Sequence, residues 1–534
     1  MKTVRNLSLG IQSFRKIRDA EYGYIYVDKS KFIAKLARTS WPYFLSRPRR
    51  FGKSLFLSML RSYFLGEKEL FEGLEIARIK EEEGSEWKSY PVLYLELTGP
   101  QYTKEEHLID KLNHNLTKWE EEFDIAKSDS ANPSDRFESI IRNLYEQKGC
   151  QVVILVDEYD APLVSTLDNP ELNEYYRASL KGFYTVLKTC DEAIRFSFLT
   201  GVTKFSSLTI FSGLNNLVDI SMTDEYSEIC GLTQEEILTY FPDELDAFAI
   251  ANNKTRDEVI ATLKQHYDGY HFSKASADIY NPFSLCHALN MKEINDYWFR
   301  TATPTFLTSF ISKNCIDIPS LDDGQLMLAE SQLADYRANS GNIIPLLFQT
   351  GYLTIKEYMN EYNAYVLGFP NDEVRYAFLN CLFWEHTQLL TSNTTQFSVT
   401  RFVKLIRQGD VDAILQSINA LLESIPYDSL KKNKIPLREY NIQTTIYLIF
   451  SLMGQNVKCE VHSSAGRSDI EVETVDNIFI FEFKMQGEAS DALAQIYKKG
   501  YAKKHRASGK EVTLIGVSIT EDAKTLQEWI IKKD

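Results

Sequence analysis

Short apolar runs and helical stretches alternate along the first 230 residues. The runs are YFLS (43–46), PVLYLEL (91–97), QVVILV (151–156) and RFSFLT (195–200). Between them, apolar positions recur at helical spacing over 53–65, 105–123, 134–148 and 171–190. This alternation predicts a parallel sheet with helices on both faces, and the unbroken VVILV predicts a central buried strand. From 231 to about 310 the pattern is helical (TQEEILTYF, TRDEVIATLKQHY, NPFSLCHALN). A helix, IIPLLFQTG, then leads into two strand-like runs, YLTIKEY and AYVLGFP, which predicts a winged-helix-like element. Residues 397–424 are again helical in pattern, and KKNKIP (431–436) is a linker candidate. The last hundred residues predict a helix (438–453), strands 457–462, 468–474 and 478–484, a helix (489–505), a strand (511–519) and a final helix (521–532). The expected division is a parallel-sheet domain (1–230), a helical lid-like region (231–335), a winged-helix-like and helical region (336–425) and an αβββαβ domain (426–534).

Composition narrows the function classes. Hydrophobic residues make up 44 % of 534 positions, enough for several cores, and the net charge is −15. So acidic a chain does not coat nucleic acid along its whole surface, and any such contact is local. Residues 425–534 hold 16 Lys and Arg against 15 Asp and Glu, so the acidity lies in the rest of the chain. Seven scattered cysteines with no CxxC pair suggest neither a zinc site nor a disulfide framework. No apolar run reaches the ~18 residues of a membrane span, and no secretory signal is evident. The expectation is a cytoplasmic protein without membrane contact.

The string FLSRPRRFGKSLFLSML (44–60) has the form strand, loop, helix. Gly52, Lys53 and Ser54 close the loop and open the helix, where backbone N–H groups can cradle phosphate oxygens. In the pattern G-x-x-x-x-G-K-[ST], Lys53 reaches the outer phosphates and the Ser54 hydroxyl takes Mg²⁺. Arg47 stands where the first glycine of that pattern belongs. Arg49, Arg50, Phe51, Gly52, Lys53, Ser54 and Leu55 are therefore the candidate nucleotide-binding loop. A hundred residues on, VVILVDEYD ends a strand on Asp157 and Glu158. Asp157 is a candidate Mg²⁺ ligand, and Glu158 a candidate for orienting the attacking water. Thr200 and Thr203, at the end of the fourth strand, are candidates to sense a terminal phosphate. Lys204, Arg49 and Arg50 are candidates to neutralise charge in the transition state.

SRPRRFGKSLFLSML, VILVDEYDAPL, FLTGVTKFSSLTIFSGLNNLVDIS, YDGYHFS (267–273) and the opening IQSFRKIRDAEYGYIYVDKSKFI (11–33) resemble the predicted AAA-ATPase-like proteins of bacteria and archaea. The resemblance covers nearly the whole chain. It implies an AAA-like P-loop NTPase domain that binds ATP and hydrolyses it, and AAA-type modules often assemble as a homo-oligomer. The family tolerates arginine at the position of Arg47. His271, in YDGYHFS, reads as a packing or capping residue.

In IFIFEFK, strict alternation puts Phe479, Phe481 and Phe483 on one face and Ile480, Glu482 and Lys484 on the other. Charged groups on a buried sheet face must be paired or bind a metal. Asp469 starts the preceding strand, and two carboxylates beside a lysine can hold Mg²⁺ and place a water for phosphodiester attack. Glu439 is a further candidate metal ligand, and Gln495 and Lys499 are candidate supports on the following helix. Pattern and order resemble the PD-(D/E)XK nuclease superfamily, with Ser468-Asp469 and Glu482-Phe483-Lys484 as the two motif halves. This implies a restriction-endonuclease-like fold with Asp469, Glu482 and Lys484 as catalytic residues acting on DNA. Two functions follow as expectations. One is an ATPase, fuelled by ATP and Mg²⁺, coupled to a metal-dependent nuclease. The other is a nucleotide-regulated binding switch whose nuclease fold recognises DNA or a protein without cutting.

Overall fold

Five parallel strands in the order β2-β3-β4-β1-β5 organise the N-terminal part of the computed structural model. They are β1 (Pro42–Ser46), β2 (Val92–Glu96), β3 (Val152–Asp157), β4 (Ile194–Gly201) and β5 (Val218–Asp219). The structure describes residues 5–99, 101–128, 130–204, 211, 214, 216–302, 321, 326–333, 343–387, 405, 408–424, 439–452, 456–463, 466–485, 487–506, 508–520 and 525–534. The 431–436 linker candidate lies outside them, as does 397–404. Every residue of β3 is buried, as the unbroken apolar run requires of a central strand. The helices α1 (Lys53–Phe64), α2 (Glu105–Glu122), α3 (Pro133–Lys148) and α4 (Pro170–Thr189) alternate with these strands. Local signals set the ends of α3: Asn132 caps it through the Ser134 N–H, Pro133 opens it, and Gly149 closes it at φ 62°.

The chain divides into two compact units, Met1–Thr303 with Met327–Val374, and Pro304–Leu326 with Arg375–Asp534. The first unit therefore adds to the sheet the helices α5 (Gln234–Tyr240), α6 (Pro242–Ala251), α7 (Arg256–Tyr267) and α8 (Pro282–Met291). Capping boxes at Thr233/Glu236 and Thr255/Glu258 start α5 and α7. A further core, including Leu245, Phe248, Val259, Leu263 and Leu285, holds these helices together. The helix α9 (Ile344–Thr350) then precedes an antiparallel hairpin, β7 (Thr354–Met359) and β8 (Ala364–Gly368), joined by β6 (Leu326–Ala329) in the order β6-β8-β7.

In the second unit, α10 (Val411–Ser424) and α11 (Glu439–Leu452) precede a mixed sheet of order β13-β12-β11-β10-β9. Its strands are β9 (Asn456–Ser463), β10 (Gly466–Glu473), β11 (Asn477–Lys484), β12 (Glu511–Ile519) and β13 (Leu526–Lys533). The helix α12 (Ala489–Lys499) joins the parallel pair β11 and β12. The final helix expected at 521–532 is not formed. Residues 526–533 are instead an edge strand, antiparallel to β12. The unpaired edge of β12 offers a full ladder of hydrogen bonds, and Trp529 anchors the strand by donating from Nε1 to Asp412 Oδ1 at 2.7 Å. No helix among the described residues is long and apolar enough to cross a membrane.

Candidate functional site

The loop between β1 and α1 is held open by backbone geometry. Arg50 (φ 66°) and Gly52 (φ 99°) are left-handed, the conformation from which anion-binding nests are built. Gly52 caps α1 without a side-chain bond, and the first turn carries no acidic residue. Its N–H groups and the positive end of the helix dipole are thus left for a ligand. Lys53 is buried, its Nζ donating to the carbonyls of Arg47 at 3.0 Å and Pro48 at 3.1 Å.

Arg47 explains the missing glycine. Its guanidinium turns away from the loop mouth and donates to the carbonyls of Ser46 (3.0 Å), Ser221 (2.6 Å), Tyr226 (3.1 Å) and Ser227 (3.4 Å). It also lies 4.1 Å from the ring centre of Phe272. Burial brings its pKa down to about 10, so it stays charged at neutral pH. The arginine pins β1 to the segment after β5 from behind the site. Other contacts brace the loop from the middle of the chain. Phe51 packs edge-on against Tyr270 and Phe272. Gly231 N–H donates to Phe51 O at 3.0 Å, and Trp298 Nε1 donates to Arg49 O at 3.0 Å. The YDGYHFS segment therefore packs beneath the loop, and His271 pairs with Asp278 at 3.2 Å and donates its backbone N–H to Thr354 Oγ1.

A cavity of about 700 Å³ opens over this loop. Of the expected nucleotide residues, Arg49, Arg50, Phe51, Gly52, Lys53, Ser54 and Leu55 line it, as does Glu158, the candidate for orienting water. Asp157 and Thr200 lie behind them, buried, with Thr200 Oγ1 donating to Asp157 Oδ1 at 2.6 Å and Tyr94 OH to Oδ2 at 3.3 Å. Glu158 reaches the cavity because its backbone is left-handed, φ 52°, a strained conformation costing ~1 kcal/mol for such a residue. Burial raises the Glu158 pKa, against the pull of Lys53. Ser54 lines the cavity and Asp157 lies behind it, and both carry the hard oxygen donors that Mg²⁺ takes.

Thr203 and Lys204 are engaged elsewhere. The Thr203 hydroxyl and N–H both donate to Asp160 Oδ2 at 2.6 Å, and Lys204 pairs with Asp219 at 2.7 Å. Burial alone would raise the Asp219 carboxyl, but Lys204 and Ser221 hold it below its ordinary range. Asp160, the third acid of DEYD, escaped the sequence reading. It is buried and ties the end of β3 to the segment after β4. The cavity's apolar walls, among them Ile25, Val27, Phe241 and Phe283, were also missed. In sequence they look like ordinary core residues.

In the second unit, the β10–β11 register pairs Ile470 with Phe481. Asp469 precedes Ile470 and Glu482 follows Phe481, at the end of that register. Asp469 Oδ2 accepts the Phe483 N–H at 2.8 Å. Glu482 is buried, takes a hydrogen bond from Gln495 Nε2, and lies 3.7 Å from Lys484 Nζ. Lys484 Nζ in turn donates to Gln495 Oε1 at 2.7 Å. Gly516, opposite Glu482 on β12, makes this possible. A Cβ there would lie 2.4 Å from Ala489 O, so only glycine lets α12 come close enough for Gln495 to reach Glu482. Lys499, one turn beyond Gln495, is half-buried. Glu439 begins α11, and its side chain lies outside the described residues. Lys504 and His505 are turned inward to the buried Glu471, at 2.6 and 3.0 Å. Asp469 and Glu482 both carry the hard oxygen donors that Mg²⁺ takes. Among the described residues no cluster of three or more His, Cys, Asp or Glu side chains forms a metal site.

Comparison with known proteins adds to this geometry. Residues 8–211 match the family described as predicted AAA-ATPase, and residues 437–529 match the PD-(D/E)XK nuclease superfamily. A relative from Azotobacter chroococcum mcd 1, described as the uncharacterized protein in the vnfD 5′ region, is 34 % identical over 533 residues, 99 % of each chain. Among solved structures, the Aeropyrum pernix ORC2 protein (ADPNP-ADP complexes) aligns with 64 % of this chain and 86 % of its own. At 11 % identity and a TM-score of 0.23, that similarity is too slight to bear on function. The chain belongs to the family of predicted AAA-ATPases that carry a C-terminal PD-(D/E)XK nuclease-superfamily domain.

Proposed function

We propose that the first unit binds and hydrolyses ATP with Mg²⁺, and that this is coupled to Mg²⁺-dependent cleavage of DNA by the second unit. The observation that carries the reading is the cavity wall that joins Lys53 and Ser54 at the mouth of α1 to Glu158 at the end of β3. Backbone N–H groups of 52–54 cradle the phosphates, Lys53 meets the outer ones, and Glu158 orients the attacking water. Ser54 and Asp157 would hold Mg²⁺, which supplies charge neutralisation when bound. Trp298, Tyr270 and Gln349, whose side-chain oxygen accepts the Lys204 N–H at 2.8 Å, link the loop and the end of β4 to the middle of the chain. These contacts are the route by which nucleotide state leaves the site. In the second unit, Asp469 and Glu482 would hold the metal, Lys484 would stabilise charge on the cleaved phosphate, and Gln495 positions both Glu482 and Lys484.

A second reading, a nucleotide-regulated switch that recognises DNA or a protein without cutting, is favoured by one observation. Gln495 already bridges Glu482 Oε1 and Lys484 Nζ, which lie 3.7 Å apart. A cleavage assay on supercoiled DNA with Mg²⁺, with and without ATP, separates the two. Wild type nicks the DNA and Asp469→Ala and Lys484→Ala do not. A wild type that never cuts with Mg²⁺ or Mn²⁺ leaves the switch.

A further inference from the structure

Three arginines stand in the phosphate loop, and the fold sends each a different way. Arg47 is sealed inside, its guanidinium on four backbone carbonyls. Arg50 lies over the ring of Phe283 at 4.0 Å, on the apolar side of the cavity. Arg49 remains on the cavity wall with Lys53, Ser54 and Glu158. Among the described residues its guanidinium makes no hydrogen bond or ion pair, although its carbonyl is clamped by Trp298 Nε1. Trp298 is itself fixed, its N–H donating to the buried Glu373 at 2.6 Å. The backbone at Arg49 is thus immobilised while its charged end is left for a ligand.

We propose that Arg49 is the cation that meets the terminal phosphate of a bound nucleoside triphosphate, contributed by the same loop that cradles the inner phosphates. The proposal rests on the reading of this cavity as an ATP site. A triphosphate carries more negative charge than Lys53 and one Mg²⁺ neutralise, and a planar guanidinium suits the remaining phosphate oxygens. Lys53 shares its ammonium with the carbonyls of Arg47 and Pro48, and the neighbouring arginine adds the charge that the outermost phosphate still needs.

Calorimetric titration of the full chain with ADP and with a non-hydrolysable ATP analogue, both with Mg²⁺, tests this without requiring turnover. Arg49→Ala is expected to weaken the analogue by roughly tenfold or more and to leave ADP within about twofold of wild type. Arg49→Lys should recover part of the loss. Arg50→Ala should weaken both nucleotides alike. An Arg49→Ala variant that loses both nucleotides equally, or neither, overturns the proposal. A wild type that binds neither nucleotide overturns the ATP reading and the proposal with it, a result distinct from any selective change in Arg49→Ala.

Discussion

The loop before α1 and the carboxylate cluster of the second unit use different means to keep charged groups inside a protein. In the first unit neutral dipoles do the holding. Lys53 sits on two backbone carbonyls, and Asp157 receives hydroxyls from Thr200 and Tyr94. Lys53 lines an open cavity, and Asp157 is buried behind it. In the second unit an ion pair is added to the neutral partners: Glu482 lies 3.7 Å from Lys484, and the amide of Gln495 bridges the two. A site fixed by neutral partners is preorganised and takes a charged ligand without breaking an ion pair. A self-compensating site must surrender an interaction first. The first should bind with little rearrangement, and the second should respond to metal concentration.

The largest effect is expected at Arg47. If the loop depends on that buried guanidinium, Arg47→Gly, which restores the glycine of the standard pattern, should cost about 3 kcal/mol or more. Four carbonyls lose their donor and a cavity opens. Chemical denaturation measures this, and a stable Arg47→Gly protein would show that the carbonyl cluster does not matter. Next comes Asp469→Asn, which should lower Mg²⁺-dependent nicking by roughly 100-fold, about 2.7 kcal/mol, and leave the melting temperature close to wild type. Unchanged nicking would remove Asp469 from the site. Gly516→Ala should destabilise the second unit by about 1–3 kcal/mol by pushing α12 off β12. It should also weaken any metal response, because Gln495 then loses Glu482. An unaltered thermal melt would mean that the close approach is not needed.

The last effect is a pH dependence. Burial pushes the Glu373 carboxyl up to about 8, from an ordinary 4.5. The folded state therefore keeps a proton that the unfolded chain releases. That contribution to stability is complete below about pH 4.5 and is lost as the pH rises through 8. Glu373→Gln mimics the protonated form, so its melting temperature should fall less than that of wild type between pH 6 and 9. Parallel curves would mean that Glu373 is ionised in the folded protein.

The sequence revealed those parts of the fold whose signals are local. The strands β1 to β4 and their helices follow from apolar runs, caps and spacing that any short window contains. The strand β5 has only two residues, and its place beside β1 is decided by the whole sheet. Residues 526–533 have helix-compatible composition, but the open edge of β12 makes them a strand. The same division holds at the sites. GKS and DE name themselves, whereas the role of Arg47 depends on carbonyls contributed by residues 221–227. Thr203 looked free to sense phosphate because its partner Asp160 is distant in sequence. Glu482 and Lys484 were read correctly onto one face by alternation alone. That Gly516 lets Gln495 reach them was not visible in the strand's own pattern.

The central claim is that the cavity over Gly52, Lys53 and Ser54 is an ATP site independent of the carboxylate pair. Calorimetric titration of ATP with Mg²⁺ into wild type, Lys53→Ala and Asp469→Ala tests it most directly. The expected result is one site per chain in wild type and in Asp469→Ala with equal affinity, and binding at least about 100-fold weaker in Lys53→Ala. Wild-type affinity in Lys53→Ala would contradict the account.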